Sequence, residues 1–134
     1  MQPRLMIIDD EEHIRSALAC YLEDFDGFVI RSAHSAELAL EELRQEPADV
    51  CIVDIRLPAM NGAELIRVCQ EEGLCRHHLL HTGSADFRLY IDIGKLGMSE
   101  DDVFQKPCDG MAMLERIREL LRQDQDANQV PQNV

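Results

Sequence analysis

The chain has 134 residues, 46% of them hydrophobic, which is one domain of ordinary size with enough apolar material for a core and excludes wholesale disorder. Its formal net charge of −13 leaves no basic excess to neutralise nucleic-acid phosphates or to meet an anionic membrane surface, so neither is an expected direct partner. The five cysteines form no C-x-x-C pair, suggesting neither a disulfide framework nor a zinc ribbon, and no apolar run approaches the ~20 residues that span a membrane.

Leu5-Met6-Ile7-Ile8 is an apolar run closed by Asp9-Asp10-Glu11-Glu12, a strand that ends in an acidic turn. Ile14, Leu18, Tyr21, Leu22 and Phe25 then recur with helical spacing, and Gly27 is placed to end the helix. Residues 28–33 form a second strand. Ser35 is an acceptable N-cap for a helix striped by Ala36, Ala39, Leu40 and Leu43, which Pro47 stops. Residues 49–54 are nearly all apolar, as in a strand buried on both faces, and the run ends on Asp54.

Leu65, Ile66 and Cys69 mark a third helix that Gly73 ends. His78-Leu79-Leu80-His81-Thr82 reads as a fourth strand. Phe87, Tyr90, Ile91 and Gly94 outline a fourth helix with Gly97 near its end. Residues 103–107 form a short fifth strand, and Leu114, Ile117, Leu120 and Leu121 define the last helix. Residues 1–123 make the domain. From 124 to 134 the polar composition predicts a flexible tail. No signal peptide precedes the first strand, so the expected location is cytoplasmic.

Five alternations of strand and helix predict an α/β fold, a parallel sheet with helices on both faces. In such a sheet all strand carboxyl ends share one edge, where open α/β sheets bind ligands. Asp9-Asp10, Asp54, Thr82 and Lys106 all stand at strand ends. Two unit charges ~4 Å apart repel by about 4 kcal/mol at an effective dielectric near 20, so clustered carboxylates must bind protons or hold a cation. Mg²⁺ suits such an all-oxygen site. A carboxylate nucleophile beside a divalent cation, an ammonium and a hydroxyl suits phosphoryl transfer through an aspartyl phosphate.

The pieces Ile8-Asp9-Asp10-Glu11, Val53-Asp54-Ile55-Arg56-Leu57-Pro58-Ala59-Met60-Asn61-Gly62, Thr82-Gly83 and Lys106-Pro107, in this order, resemble the receiver domain of bacterial two-component response regulators over residues 4–122. The resemblance implies a flavodoxin-like five-stranded parallel sheet of order 2-1-3-4-5, βα repeated five times. It implies that Asp54 accepts a phosphoryl group from a phosphohistidine on a histidine kinase or histidine phosphotransfer protein. Asp10, Asp54 and the backbone carbonyl of Arg56 would ligate Mg²⁺, and Asp9 would act through a metal-bound water. Thr82 and Lys106 would contact the phosphoryl oxygens, and a cis peptide bond would join Lys106 to Pro107.

Two departures from the family bear on signalling. Val103 stands where the family carries an aromatic ring, and Phe104 falls on the opposite strand face. Lys106 lies 24 positions after Thr82, longer than the family pattern, with the surplus placed in residues 97–101 and an unusual signalling surface expected there. Cys51 and Cys69 read as small core residues, and His77, His78 and His81 as structural, with His81 on the face opposite Thr82. The chain ends soon after its last helix, so the reading is a stand-alone regulator acting on a downstream protein target, or a receiver without its output domain. The rival readings are a pseudo-receiver that binds partners without phosphorylation and an aspartate-nucleophile phosphatase. The phosphatase is disfavoured because Arg56 occupies the place of its second acid.

Overall fold

The computed structural model describes residues 2–25, 27–83 and 92–128. The elements run β1 (Arg4–Ile8), α1 (Glu12–Glu23), β2 (Val29–Ala33), α2 (Ala36–Gln45), β3 (Ala48–Val53), α3 (Gly62–Glu72), β4 (Cys75–Thr82), β5 (Val103–Gln105) and α4 (Gly110–Asn128), with 3-10 turns at Ile93–Leu96 and Glu100–Asp102. All strand pairs are parallel and the order is β2-β1-β3-β4-β5. This is the flavodoxin-like arrangement expected from the sequence.

Alternation along each strand divides the core in two. Met6, Ile8, Cys51, Val53 and Leu80 pack with Leu40 and Leu43 of α2 and Leu65, Ile66 and Cys69 of α3. Leu5, Ile7, Val50, Ile52 and Leu79 pack on the other face with Leu18 and Leu22 of α1 and Met113, Leu114 and Ile117 of α4. Burial of the central strands on both faces is why β1 and β3 read as continuous apolar runs. Helix ends obey local chemistry. The Ser35 side chain accepts from the Leu38 N–H at 3.2 Å, Asn61 accepts from the Glu64 N–H at 2.9 Å, and Gly73 closes α3 in the left-handed conformation at φ 68°.

Several boundaries differ from the sequence reading. β4 begins at Cys75, three residues earlier than expected, so Cys75 and His78 share one strand. β5 stops at Gln105, two residues earlier than expected, and a cis peptide bond joins Lys106 to Pro107 just beyond it. The expected fourth helix falls largely on residues 84–91, outside the described residues; its expected end is a 3-10 turn capped by Gly97 at φ 74°. Four α-helices stand among the described residues. The last helix runs through 124–128, which the composition had assigned to the flexible tail. Asp124 faces the sheet: its Oδ1 lies 2.9 Å from His77 Nε2 and 3.8 Å from the Arg76 guanidinium, contacts that hold another turn of helix. Among the described residues no helix is long and apolar enough to cross a membrane.

Candidate functional site

The carboxyl edge of the sheet gathers the expected groups. Asp9 follows β1, Asp54 follows β3, Thr82 ends β4, and Lys106 follows β5. Asp9 and Asp54 are held where their strands end: the Asp54 N–H donates to the Ile8 carbonyl at 3.0 Å, and the Asp9 N–H to the Ala33 carbonyl at 3.2 Å. The Lys106 N–H donates to the Thr82 carbonyl at 2.8 Å, which fixes the start of the lysine side chain beside β4.

From there Lys106 reaches across the sheet. Its Nζ lies 2.6 Å from Asp9 Oδ2, 3.1 Å from Asp54 Oδ2 and 3.9 Å from Glu11 Oε1. Carboxylate oxygens of Asp9, Asp10, Glu11 and Asp54 all lie within 4.8 Å of one another. Asp9 and Asp54 are buried, whereas Asp10 and Glu11 are exposed, so the cluster has a dry floor and a wet rim. The second Asp54 oxygen, Oδ1, accepts from the Arg56 N–H at 3.2 Å, and Asp9 Oδ1 accepts from the Glu11 N–H at 3.0 Å. Thr82 is buried at the same edge, and Arg56 is exposed beside it.

One ammonium among four carboxylates leaves a formal charge of −3, and the titration of the site reflects it. Burial pushes the Asp54 carboxyl above its ordinary value; the hydrogen bond and charge of Lys106 pull it back, Asp9 raises it further, and the Arg56 N–H lowers it. Burial also opposes the charge on Lys106, but its hydrogen bonds to Asp9 and Asp54 and their charges outweigh that, so its pKa is raised and it stays an ammonium. Because Lys106 is shared between two carboxylates, it compensates neither fully. The donor set is all oxygen, net negative and open on one side, which is the chemistry of a hard divalent cation site.

The loop after Asp54 is shaped for this. Gly62 has no room for a side chain: an added Cβ would collide with the Asp54 carbonyl oxygen and lie 2.9 Å from Ile55 Cα. Ala59 sits at φ 61°, the left-handed region, and the Gly62 N–H donates to the Ile55 carbonyl at 2.9 Å. Glu11 is the one member of the cluster to which the sequence reading gave no role. Its position two residues past a strand-end acid was the available signal.

A family model described as "Response regulator receiver domain" matches residues 5–119. The chain belongs to the response regulator receiver domain family. Among curated relatives, the response regulator GtcR of Aneurinibacillus migulanus is 30% identical over 129 residues, covering 96% of this chain and 52% of that protein. The transcriptional regulatory protein AruR of Pseudomonas aeruginosa is 34% identical over 130 residues, covering 91% and 50%. This receiver thus spans about half the length of the curated relatives it matches. Among solved structures, the signal receiver domain of an HD domain-containing protein from Pseudomonas fluorescens Pf-5 superposes with a TM-score of 0.79 at 26% identity, covering 94% of this chain and 99% of that one. The chemotaxis response regulator CheY4 of Vibrio cholerae shares the fold, with a TM-score of 0.76 at 20% identity and coverage of 90% and 99%. Such domains are signalling modules of two-component systems rather than enzymes acting on outside substrates.

The two departures also have places in the receiver fold. Val103 packs against the core that contains Val53 and Leu80, and Phe104 against the core that contains Leu79 and Met113, so the ring at 104 lies on the wrong face to replace one at 103. The long β4-to-β5 connection ends in a built turn. Ser99 and Asp102 form a reciprocal cap, Arg116 Nε donates to Asp102 Oδ1 at 2.8 Å, and Gln70 Nε2 donates to the Leu96 carbonyl at 2.6 Å.

Proposed function

We propose that this receiver is a phosphorylation-switched signalling domain in which Asp54 takes a phosphoryl group from a phosphohistidine on a histidine kinase or histidine phosphotransfer protein. The observation that carries this reading is Lys106 Nζ within 3.1 Å of Asp54 and 2.6 Å of Asp9, three side chains from three separate strand ends. An ammonium so placed can exchange a carboxylate for an incoming phosphoryl oxygen.

In the transfer, a carboxylate oxygen of Asp54 attacks phosphorus. The phosphorus–nitrogen bond of the donor breaks, and its electron pair returns to the imidazole. Burial makes the Asp54 anion more basic than an exposed aspartate, which favours bond formation once it is ionised. Lys106 meets the charge on the transferred oxygens, and the Thr82 hydroxyl donates to one of them. Asp10, Asp54 and the Arg56 carbonyl would hold Mg²⁺, with Asp9 orienting a bound water; when present, the ion neutralises charge on the phosphoryl oxygens. Later loss of the group is attack by water on phosphorus, with the Asp54 carboxylate leaving. The phosphorylated state changes the contacts of this domain with a downstream protein or an attached output domain in the cytoplasm. Because Val103 replaces the aromatic switch residue, that change proceeds without an inward turn of a ring at 103.

Incubation with acetyl phosphate and Mg²⁺ followed by intact mass tests the reading. A gain of one phosphoryl group in the wild type, absent in Asp54→Asn, is expected. No gain in a folded, Mg²⁺-binding wild-type protein would favour the pseudo-receiver, an interaction module that is never phosphorylated.

A further inference from the structure

We propose that Cys51, Cys75 and His78 form a second cation site, buried between β3 and β4, that takes a soft divalent ion of the zinc type. Cys51 and His78 are register partners across the two strands, and Cys75 opens β4. One donor atom from each lies within 4.8 Å of the other two. All three residues are buried, and the site is separate from the carboxylate edge.

A buried cysteine alone is ordinary core packing. His78 sets this cluster apart. Its Nε2 is buried without a hydrogen-bond partner among the described residues, which is uncommon for a native polar atom and points to a missing ligand. A neutral imidazole keeps a lone pair on one ring nitrogen that a metal can take.

Charge favours zinc over other ions. Two thiolates, a neutral imidazole and a divalent cation sum to zero, so the loaded site places no net charge in the core. A cuprous ion in the same set would leave one negative charge buried. Magnesium prefers the oxygens at the sheet edge. Loading forms two zinc–sulfur bonds, and a thiol that binds gives up its proton to solvent. Cys69 of α3 lies in the same core cluster but outside this group of donors, so the three side chains leave the fourth tetrahedral position to a water. A cavity of about 260 Å³ lined by Gln70, Leu96, Met98, Asp102 and Arg116 reaches His78, one of the three donors.

The test uses the full chain, reduced and stripped by chelation, titrated with Co²⁺ and then Zn²⁺. The expected result is the intense absorption of tetrahedral cobalt with thiolate charge-transfer bands, displaced by one equivalent of zinc. Those bands should persist in Asp10→Asn, Cys20→Ser and Cys108→Ser, and should vanish in Cys75→Ala and in His78→Leu. Weak octahedral absorption alone, or bands that survive in both Cys75→Ala and His78→Leu, would overturn the site. Should those variants not fold, X-ray absorption at the zinc edge of the wild type decides: sulfur and nitrogen neighbours support the site, and oxygen neighbours alone refute it. This outcome is independent of phosphorylation at Asp54.

Discussion

β3 and β4 carry two different chemistries a few residues apart. At their carboxyl ends stand Asp54 and Thr82, beside Asp9, Asp10, Glu11 and Lys106: hard oxygens and an ammonium, charged, with a rim open to water. Three residues before Asp54 and four before Thr82 stand Cys51 and His78, uncharged and enclosed by the core. The difference follows from solvation. Charges survive at a strand end because water and a shared lysine compensate them. In the middle of a sheet covered on both faces, only neutral thiols and a neutral imidazole are tolerated without a bound ion.

The first way to break the comparison is to crowd the carboxylate edge. Gly62→Ala forces a methyl group into the Asp54 carbonyl and Ile55, and should destabilise the fold by about 3 kcal/mol or more. Chemical denaturation should show this, and a neutral result would mean that the loop after Asp54 has slack. The interior cluster can be probed by pH with metals chelated. His78 has a folded pKa of about 4 against about 6.5 unfolded, so the unfolded chain binds the extra proton between those values. Stability is then intact above pH 6.5, falls on the order of 3 kcal/mol as pH drops to 4, and levels off below. His78→Leu should lack that component of the slope.

A third comparison removes the edge's cation. Lys106→Met should slow phosphorylation by acetyl phosphate about 100-fold, because a preorganised partner for the developing charge is lost, while leaving cobalt binding at the cysteines unchanged. The smallest expected effect is on stability at Asp54 itself. Asp54 has a raised folded pKa, so ionising it opposes folding as pH rises through that value. Asp54→Asn, which keeps the shape without the charge, should be slightly more stable than wild type at neutral pH without Mg²⁺. A loss of stability would mean that the Lys106 ion pair outweighs burial.

The carboxylate edge was legible in the sequence for a structural reason. A parallel sheet brings every strand's carboxyl end to one side, so the strand-end residues Asp9, Asp54 and Thr82, with Lys106 just past β5, could be placed together before any coordinates. The two-faced core followed from the same alternation, whereas the sheet order came from the resemblance to response regulator receivers. The interior cluster was not legible, because it depends on where β4 begins and on its register with β3. The sequence started that strand at His78, which left Cys75 in a loop and the Cys51–His78 pairing unseen. The length of the last helix was missed because a long-range contact, His77 to Asp124, decides it rather than local composition. Glu11 was passed over because its side chain reaches the cluster from the exposed turn after β1 rather than from a strand end.

The central claim is that Asp54, among four clustered acids, is the group that receives phosphate. Treatment with acetyl phosphate and Mg²⁺, reduction of the acyl phosphate with borohydride, and peptide mass mapping reads the modified position directly. The account predicts homoserine at position 54 and nowhere else. Homoserine at position 9 or 10, or an unaltered peptide at 54 while phosphate is incorporated elsewhere, would contradict it.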